Sequence, residues 1–308
     1  MRFASRACSS SAETRVALTR NEHGVATVAL SRGNKMNALD MSMFRAIAGV
    51  ARELIGDRSV RAVVLHGEGP AFCAGIDIRA VISPPNTKKN LTELLERPKD
   101  AMSNLAQDVS YLWRRVPVPV IAVTHGVCFG GGLQIALGAD IRVTSPTCKF
   151  SVMEANWGLI PDMGATVVFP ELIPKDVAME LAMTGRVFKA PEALKLGLVT
   201  RIADDPLAEA TRLAREISTR SPDATAANKR LLNATYSSKD DGRSLAIETS
   251  LQRQLIGRWN QVAMSAKGFG LPTILQPGFL QRSTMWSKEA DDKAEQEIIS
   301  MLDGKTSR

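Results

Sequence analysis

Apolar and polar residues alternate in two short runs, VALTR (Val16 to Arg20) and VATVALSR (Val25 to Arg32), separated by Asn21 to Gly24. A period of two, broken by an Asn/Gly turn, predicts a β-hairpin. The period then changes. In MNALDMSMFRAIAGVARELIGD the apolar positions recur every three or four residues, which predicts a helix with Asp40 as N-cap and Gly56 as stop. VRAVVLHG (Val60 to Gly67) is almost continuously apolar and reads as a buried strand. In EGPAFCAGIDIRAV a Gly-rich turn follows and leads into another short helix.

Strand and helix go on alternating. SNLAQDVSYLWRRV has helical spacing, PVIAVTHG is a strand, GGLQIALGA a helix and IRVTSP a strand. This is the pattern of βαβ units around a mainly parallel sheet, an α/β fold. Ser83 to Asp100 (SPPNTKKNLTELLERPKD) is polar and proline-bearing, and is expected to be a mobile surface segment. From Pro174 onward the spacing is mostly helical, including an amphipathic run near Arg243 to Ile256. After Gly257 it turns irregular (GFGLPTILQPG), and the chain ends in the charged SKEADDKAEQEIISMLDG. The expected organisation is an amino-terminal segment 1–13, a core over 14–205 and a helical region over 206–308 with a divergent tail.

Composition narrows the class. At 308 residues, 44% hydrophobic and 23% charged, the chain has the make-up of a globular protein. Its longest apolar stretch, Val116 to Val123, carries two prolines and is far too short to cross a bilayer, which argues against membrane insertion. Four cysteines and three histidines are scattered without metal-ligand spacing, so no metal site is expected. The net charge is +7, but Arg2, Arg6, Arg15 and Arg20 against Glu13 supply nearly half of it. MRFASRACSSSAETR is rich in Arg and Ser and poor in acids, the composition of a mitochondrial transit peptide, or else of a plain disordered tail. The remaining basic balance and a few KK, KR and RR pairs are weak grounds for a nucleic-acid partner.

The chemistry gathers at glycines. FGGGLQIALGAD (Phe129 to Asp140) places three consecutive glycines where a strand hands over to a helix. Glycine costs about 1 kcal/mol in a helix relative to alanine, so something requires them there. A helix start presents free N–H groups, and GPAFCAGID offers a second such turn. Two of these turns can converge on one oxygen to form an oxyanion hole. HGEGPAF lacks the third glycine of a dinucleotide fingerprint, GKT at Gly304 lacks the rest of a phosphate loop, and no GxSxG is present.

AFCAGIDI (Ala71 to Ile78), HGVCFGGGLQIALGADIR (His125 to Arg142), FSVMEANWGLIPDMG (Phe150 to Gly164) and TGRVFKAPEALKLGLVTRI (Thr184 to Ile202) resemble the crotonase, or enoyl-CoA hydratase/isomerase, superfamily, and MNALD (Met36 to Asp40) matches its amino-terminal signature. The resemblance runs from about Val16 to Thr235; the region after Gly257 departs from it. It implies a crotonase-like ββα spiral core with a helical carboxy-terminal region, assembled as a homotrimer or homohexamer, that binds acyl-coenzyme A. It further implies that the thioester carbonyl lies between the N–H groups of Ile76 and Gly131. Lys35, Met36, Asn37, Ala74, Gly75, Asp77, Ile78, Arg79 and Gly130 would line the substrate, with coenzyme A part of that substrate and no separate cofactor. Trp157 would wall the acyl pocket or fill core.

The acid–base set departs from hydratase relatives, which use two glutamates to hold a water, at the positions of Gln134 and Glu154. Gln134 can orient a water but cannot take its proton. Asp162, which could instead cap the next helix, matches an acid of the dienoyl-CoA isomerases, although those carry an aspartate where this chain has Gln134. A double-bond shift needs a base and an acid and no activated water. The set Gln134, Glu154 and Asp162 therefore points to an enoyl-CoA or dienoyl-CoA isomerase of fatty acid β-oxidation. The alternatives are a hydratase in which Gln134 orients the water, and a catalytically weak acyl-CoA-binding or RNA-binding homologue. The expected location is the mitochondrial matrix, otherwise the cytoplasm or peroxisome.

Overall fold

The computed structural model describes residues 14–284; the transit-peptide reading of residues 1–13 and the charged tail from residue 285 lie outside them. The strands are β1 (Val16–Arg20), β2 (Val25–Leu30), β3 (Ala62–Gly67), β4 (Val120–Thr124), β5 (Val127–Phe129), β6 (Ile141–Thr144), β7 (Lys149–Ser151), β8 (Phe188–Lys189) and β9 (Arg201–Ile202). The helices of the first half are α1 (Met41–Gly56), α2 (Ile78–Ile82), α3 (Thr87–Leu95), α4 (Leu105–Arg115) and α5 (Gly131–Leu137). Those of the second half are α6 (Ala165–Leu172), α7 (Lys175–Thr184), α8 (Ala190–Leu196), α9 (Pro206–Ser218), α10 (Pro222–Thr235), α11 (Asp241–Leu255) and α12 (Trp259–Gly268).

The larger sheet has the order β1-β2-β3-β4-β6-β9. The predicted hairpin is its antiparallel edge, with Val16 opposite Leu30, and every later pairing is parallel. The apolar run of β3 has a simple cause: both faces are covered. Val63 and Leu65 point with Val120 and Ala122 into the main core, which α1 and α4 close with Phe44, Ile47, Leu54, Val109 and Trp113. Ala62, Val64, Ile121 and Val123 face the other way, onto Ala210 and Ala214 of α9.

The helix signals hold locally. Asp40 Oδ1 accepts the Met43 N–H at 2.8 Å at the start of α1, and Asn104 with Gln107 forms a complete capping box on α4. Lys229 of α10 ties the helical region to the core. Its ammonium is buried, donates to the carbonyls of Trp113 (2.8 Å) and Val118 (3.1 Å), and pairs with Asp140 at 2.7 Å.

Three elements differ from the sequence expectation. A second sheet, β5-β7-β8, stands beside the first, its strands two or three residues long and too short to show a period. The segment from Ser83 to Asp100 is not a loop throughout: α3 forms there and buries Asn90 and Leu94, the asparagine donating to the Val81 carbonyl at 2.9 Å. After Gly257 the chain forms α12 before the irregular stretch. Among the described residues no helix is long and apolar enough to cross a membrane.

Candidate active site

The site is assembled where two strand-to-helix connections meet. The chain leaving β3 runs through Ala71 to Asp77 into α2, and the chain leaving β5 runs through Gly130 into α5. A single parallel bridge between Cys73 and Cys128 aligns them, with Cys73 N–H on the Val127 carbonyl (3.2 Å) and Phe129 N–H on the Cys73 carbonyl (3.0 Å). The approach explains the glycines. A Cβ on Gly132 would lie 2.5 Å from the Cys73 carbonyl oxygen, and Gly130 holds φ +50°. A Cβ position built on Gly75 lies 3.7 Å from the Gly131 nitrogen, so the loop carrying Ile76 and the start of α5 are in contact. Among the described residues neither the Ile76 nor the Gly131 N–H has a hydrogen-bond acceptor.

The loop from Lys35 to Leu39 forms the outer layer. Met36 and Asn37 are both left-handed, and the Met36 carbonyl accepts from Ala74 while Leu39 donates to the Gly75 carbonyl. The Asn37 side chain faces inward, donating at 2.9 Å to the carbonyls of Glu68 and Ala71 and accepting from Arg32 N–H at 2.8 Å. It holds the turn. Asp77 is likewise structural, capping α2 through the Ala80 N–H and pairing with Arg32 at 2.9 Å. Desolvation would raise its pKa, but hydrogen bonds and the charges of Arg32 and Lys35 hold it lowered. Ile78, at the first position of α2, is half-buried, whereas Lys35, Met36 and Arg79 are exposed.

Glu154 follows β7 in a short helical turn, Met153–Trp157, and is buried. Its Oε1 lies 3.4 Å from a Cβ position on Gly130, which puts the carboxyl against the glycine turn. Gln134, buried on α5, donates through Nε2 to Glu154 Oε1 at 2.6 Å and accepts at Oε1 from Met163 N–H (2.8 Å) and Ala165 N–H (3.2 Å). The amide thus binds a carboxylate and two backbone groups. Glu154 Oε2 is buried and has no partner among the described residues. Burial raises the Glu154 pKa, and the neighbouring Asp162 charge adds to the rise, while hydrogen bonds including that from Gln134 oppose it.

Asp162 does not cap α6, whose N-cap is Gly164. It is exposed over the residue as a whole, yet desolvation of its carboxyl raises its pKa. Trp157 is 61% exposed and so fills no core in this chain. Leu159 and Ile160 are exposed beside it. The cysteines at the turns are buried thiols, Cys73 being pushed up to about 12 by burial. Sequence reasoning missed the part Cys73 plays in the turn, donating to the Asn37 carbonyl and accepting from Gly75 N–H.

This sequence and fold have matches. The sequence model of the enoyl-CoA hydratase/isomerase family covers residues 20–269. The chain belongs to that family. It is 33% identical over 249 residues to the human mitochondrial Δ(3,5)-Δ(2,4)-dienoyl-CoA isomerase, spanning 79% of this chain and 73% of that one. It is 34% identical over 213 residues to a Mycobacterium leprae protein named a probable enoyl-CoA hydratase, 68% of this chain and 71% of that one. The crystal structure of the enoyl-CoA hydratase from Mycobacterium smegmatis superposes with a TM-score of 0.72 at 27% identity, covering 83% of this chain and 96% of that chain. The fold is crotonase-like, and the chain is an enzyme of this family, whose members include both hydratases and isomerases.

Proposed function

We propose that the protein shifts a double bond along an enoyl- or dienoyl-coenzyme A through a thioester enolate. The thioester oxygen sits between the N–H groups of Ile76 and Gly131. As the α-proton leaves, negative charge grows on that oxygen and both dipoles stabilise it; one such donor contributes about 10²- to 10³-fold in rate. Glu154 takes the α-proton on Oε2, and a proton returns farther along the acyl chain from Glu154 or Asp162. Desolvation raises the pKa of both carboxyls, which makes each a stronger base toward carbon than a solvated carboxylate. Lys35 and Arg79 face the coenzyme phosphates, with Met36, Ala74 and Gly75 along its chain, and Trp157 borders the acyl end.

The observation carrying this reading over water addition is the state of Gln134. A hydrating centre must hold a water between two groups, and here the amide contacts the carboxylate directly, at 2.6 Å. One carboxylate oxygen is left, which suffices for a proton shuttle. The test is to mix the purified protein with 3-enoyl-, 3,5-dienoyl- and 2-enoyl-CoA and follow absorbance and product mass. Bond migration without a mass gain is expected; rapid water addition to 2-enoyl-CoA without migration overturns the assignment. A homotrimer or homohexamer belongs to the same reading, and so does the mitochondrial matrix, the human relative being a mitochondrial protein.

A further inference from the structure

We propose that Gln134 is a positioning residue whose single amide plane spans from Glu154 to the backbone beside Asp162, fixing the distance over which the site moves its proton and leaving Glu154 Oε2 alone to meet the acyl chain. This deepens the isomerase reading and rests on it.

The contacts settle how the amide lies. Two backbone N–H groups, of Met163 and Ala165, converge on one side-chain atom of Gln134 at 2.8 and 3.2 Å. Only the amide oxygen can accept both, so the nitrogen must face Glu154. The side chain is 1% exposed, and its nitrogen and oxygen are both bound to protein groups, so it acts through its neighbours. Its backbone is fixed as well, since Ser110 Oγ donates to the Gln134 carbonyl at 2.6 Å. The Met163 N–H is one residue from Asp162, and the nitrogen side of the same amide holds Glu154 Oε1. Rotating Glu154 breaks the bond to a buried donor, and shifting the Asp162 segment breaks two to a buried acceptor. The two acid–base groups are therefore spaced by one rigid group.

Gln134→Glu and Gln134→Met separate the parts of this bridge. Glutamate keeps the acceptor for Met163 and Ala165, loses the donor when ionised and sets a like charge beside Glu154. Methionine keeps the volume and loses both. With the best enoyl-CoA, both variants are expected to lose at least about tenfold in kcat with KM within about threefold. In Gln134→Glu the acid limb of the kcat profile is expected to move to higher pH, because the donor that holds the Glu154 pKa down is replaced by a carboxylate. A merely structural role moves the melting temperature and leaves that limb in place. Should Gln134→Met fail to fold, Gln134→Glu, close in shape and retaining the buried acceptor, decides the matter. Active wild type with a Gln134→Glu profile unchanged in kcat and pH overturns this proposal alone. Wild type inert on every enoyl-CoA overturns it together with the isomerase reading.

Discussion

Cys73 and Cys128 face each other in a parallel bridge that joins the two glycine turns, and everything proposed for the thioester oxygen depends on that bridge holding the loop that carries Ile76 against the start of α5. A side chain at Gly132 would force it open, because the added carbon would meet the Cys73 carbonyl at 2.5 Å. Gly132→Ala is expected to cost about 1–3 kcal/mol of stability through overpacking. It should lower kcat/KM by about 10²- to 10³-fold, the effect of misplacing one oxyanion donor. Thermal melting and steady-state kinetics check the two figures.

Glu154→Gln is expected to lower turnover at least about 10²-fold, since an amide cannot take the α-proton. In the wild type, activity should fall with acid as Glu154 becomes protonated, with the limb above the ordinary glutamate value of 4.5 because burial raises it.

The same burial makes a stability prediction with a definite sign. A carboxyl whose folded pKa is raised stabilises the fold fully below its unfolded value, and this contribution is lost as pH rises through the folded value. Glu154→Gln should therefore melt higher than wild type at neutral pH, the gap closing as pH approaches 4.5. Melting curves across that range test it.

Lys229 is buried with three oxygen partners, two of them carbonyls at the end of α4 and before β4. Lys229→Met leaves Asp140 without its cation and two carbonyls without a donor. A loss of about 3 kcal/mol is expected, as when one member of a buried pair is removed. Denaturant unfolding measures it, and residual activity should fall only with the folded fraction.

Lys35→Ala and Arg79→Ala are expected each to raise KM by about tenfold, one charge-assisted hydrogen bond, with kcat unchanged. Thioesters of N-acetylcysteamine, which lack the coenzyme phosphates, should show no such difference. Comparing the two substrate series checks that these exposed cations meet phosphate.

The parts of the fold with long periods were legible in the sequence. The 16-residue α1 shows its apolar stripe and Asp40 cap, and β3 shows burial on two faces. The β5-β7-β8 sheet was not legible, because strands of two or three residues carry no period and Phe150 meets Phe188 only through tertiary structure. The polar composition around α3 hid a helix whose stability comes from burying Leu94 and satisfying Asn90. At the site, the glycines and Glu154 stood out by their motifs. The inward turn of Asn37 did not, because a left-handed backbone there depends on acceptors supplied by Glu68 and Ala71, thirty-odd residues away. Gln134 was conspicuous as a residue, but its partners Met163 and Ala165 bind through backbone groups that leave no trace in side-chain chemistry.

The most direct measurement is exchange of the α-proton of a saturated acyl-CoA in D₂O, which needs the enolate and no double bond. The account predicts that the wild type washes deuterium into the α-position, that Glu154→Gln does not, and that Gly132→Ala slows the exchange. No exchange by the wild type, or exchange at the same rate in Glu154→Gln, contradicts it.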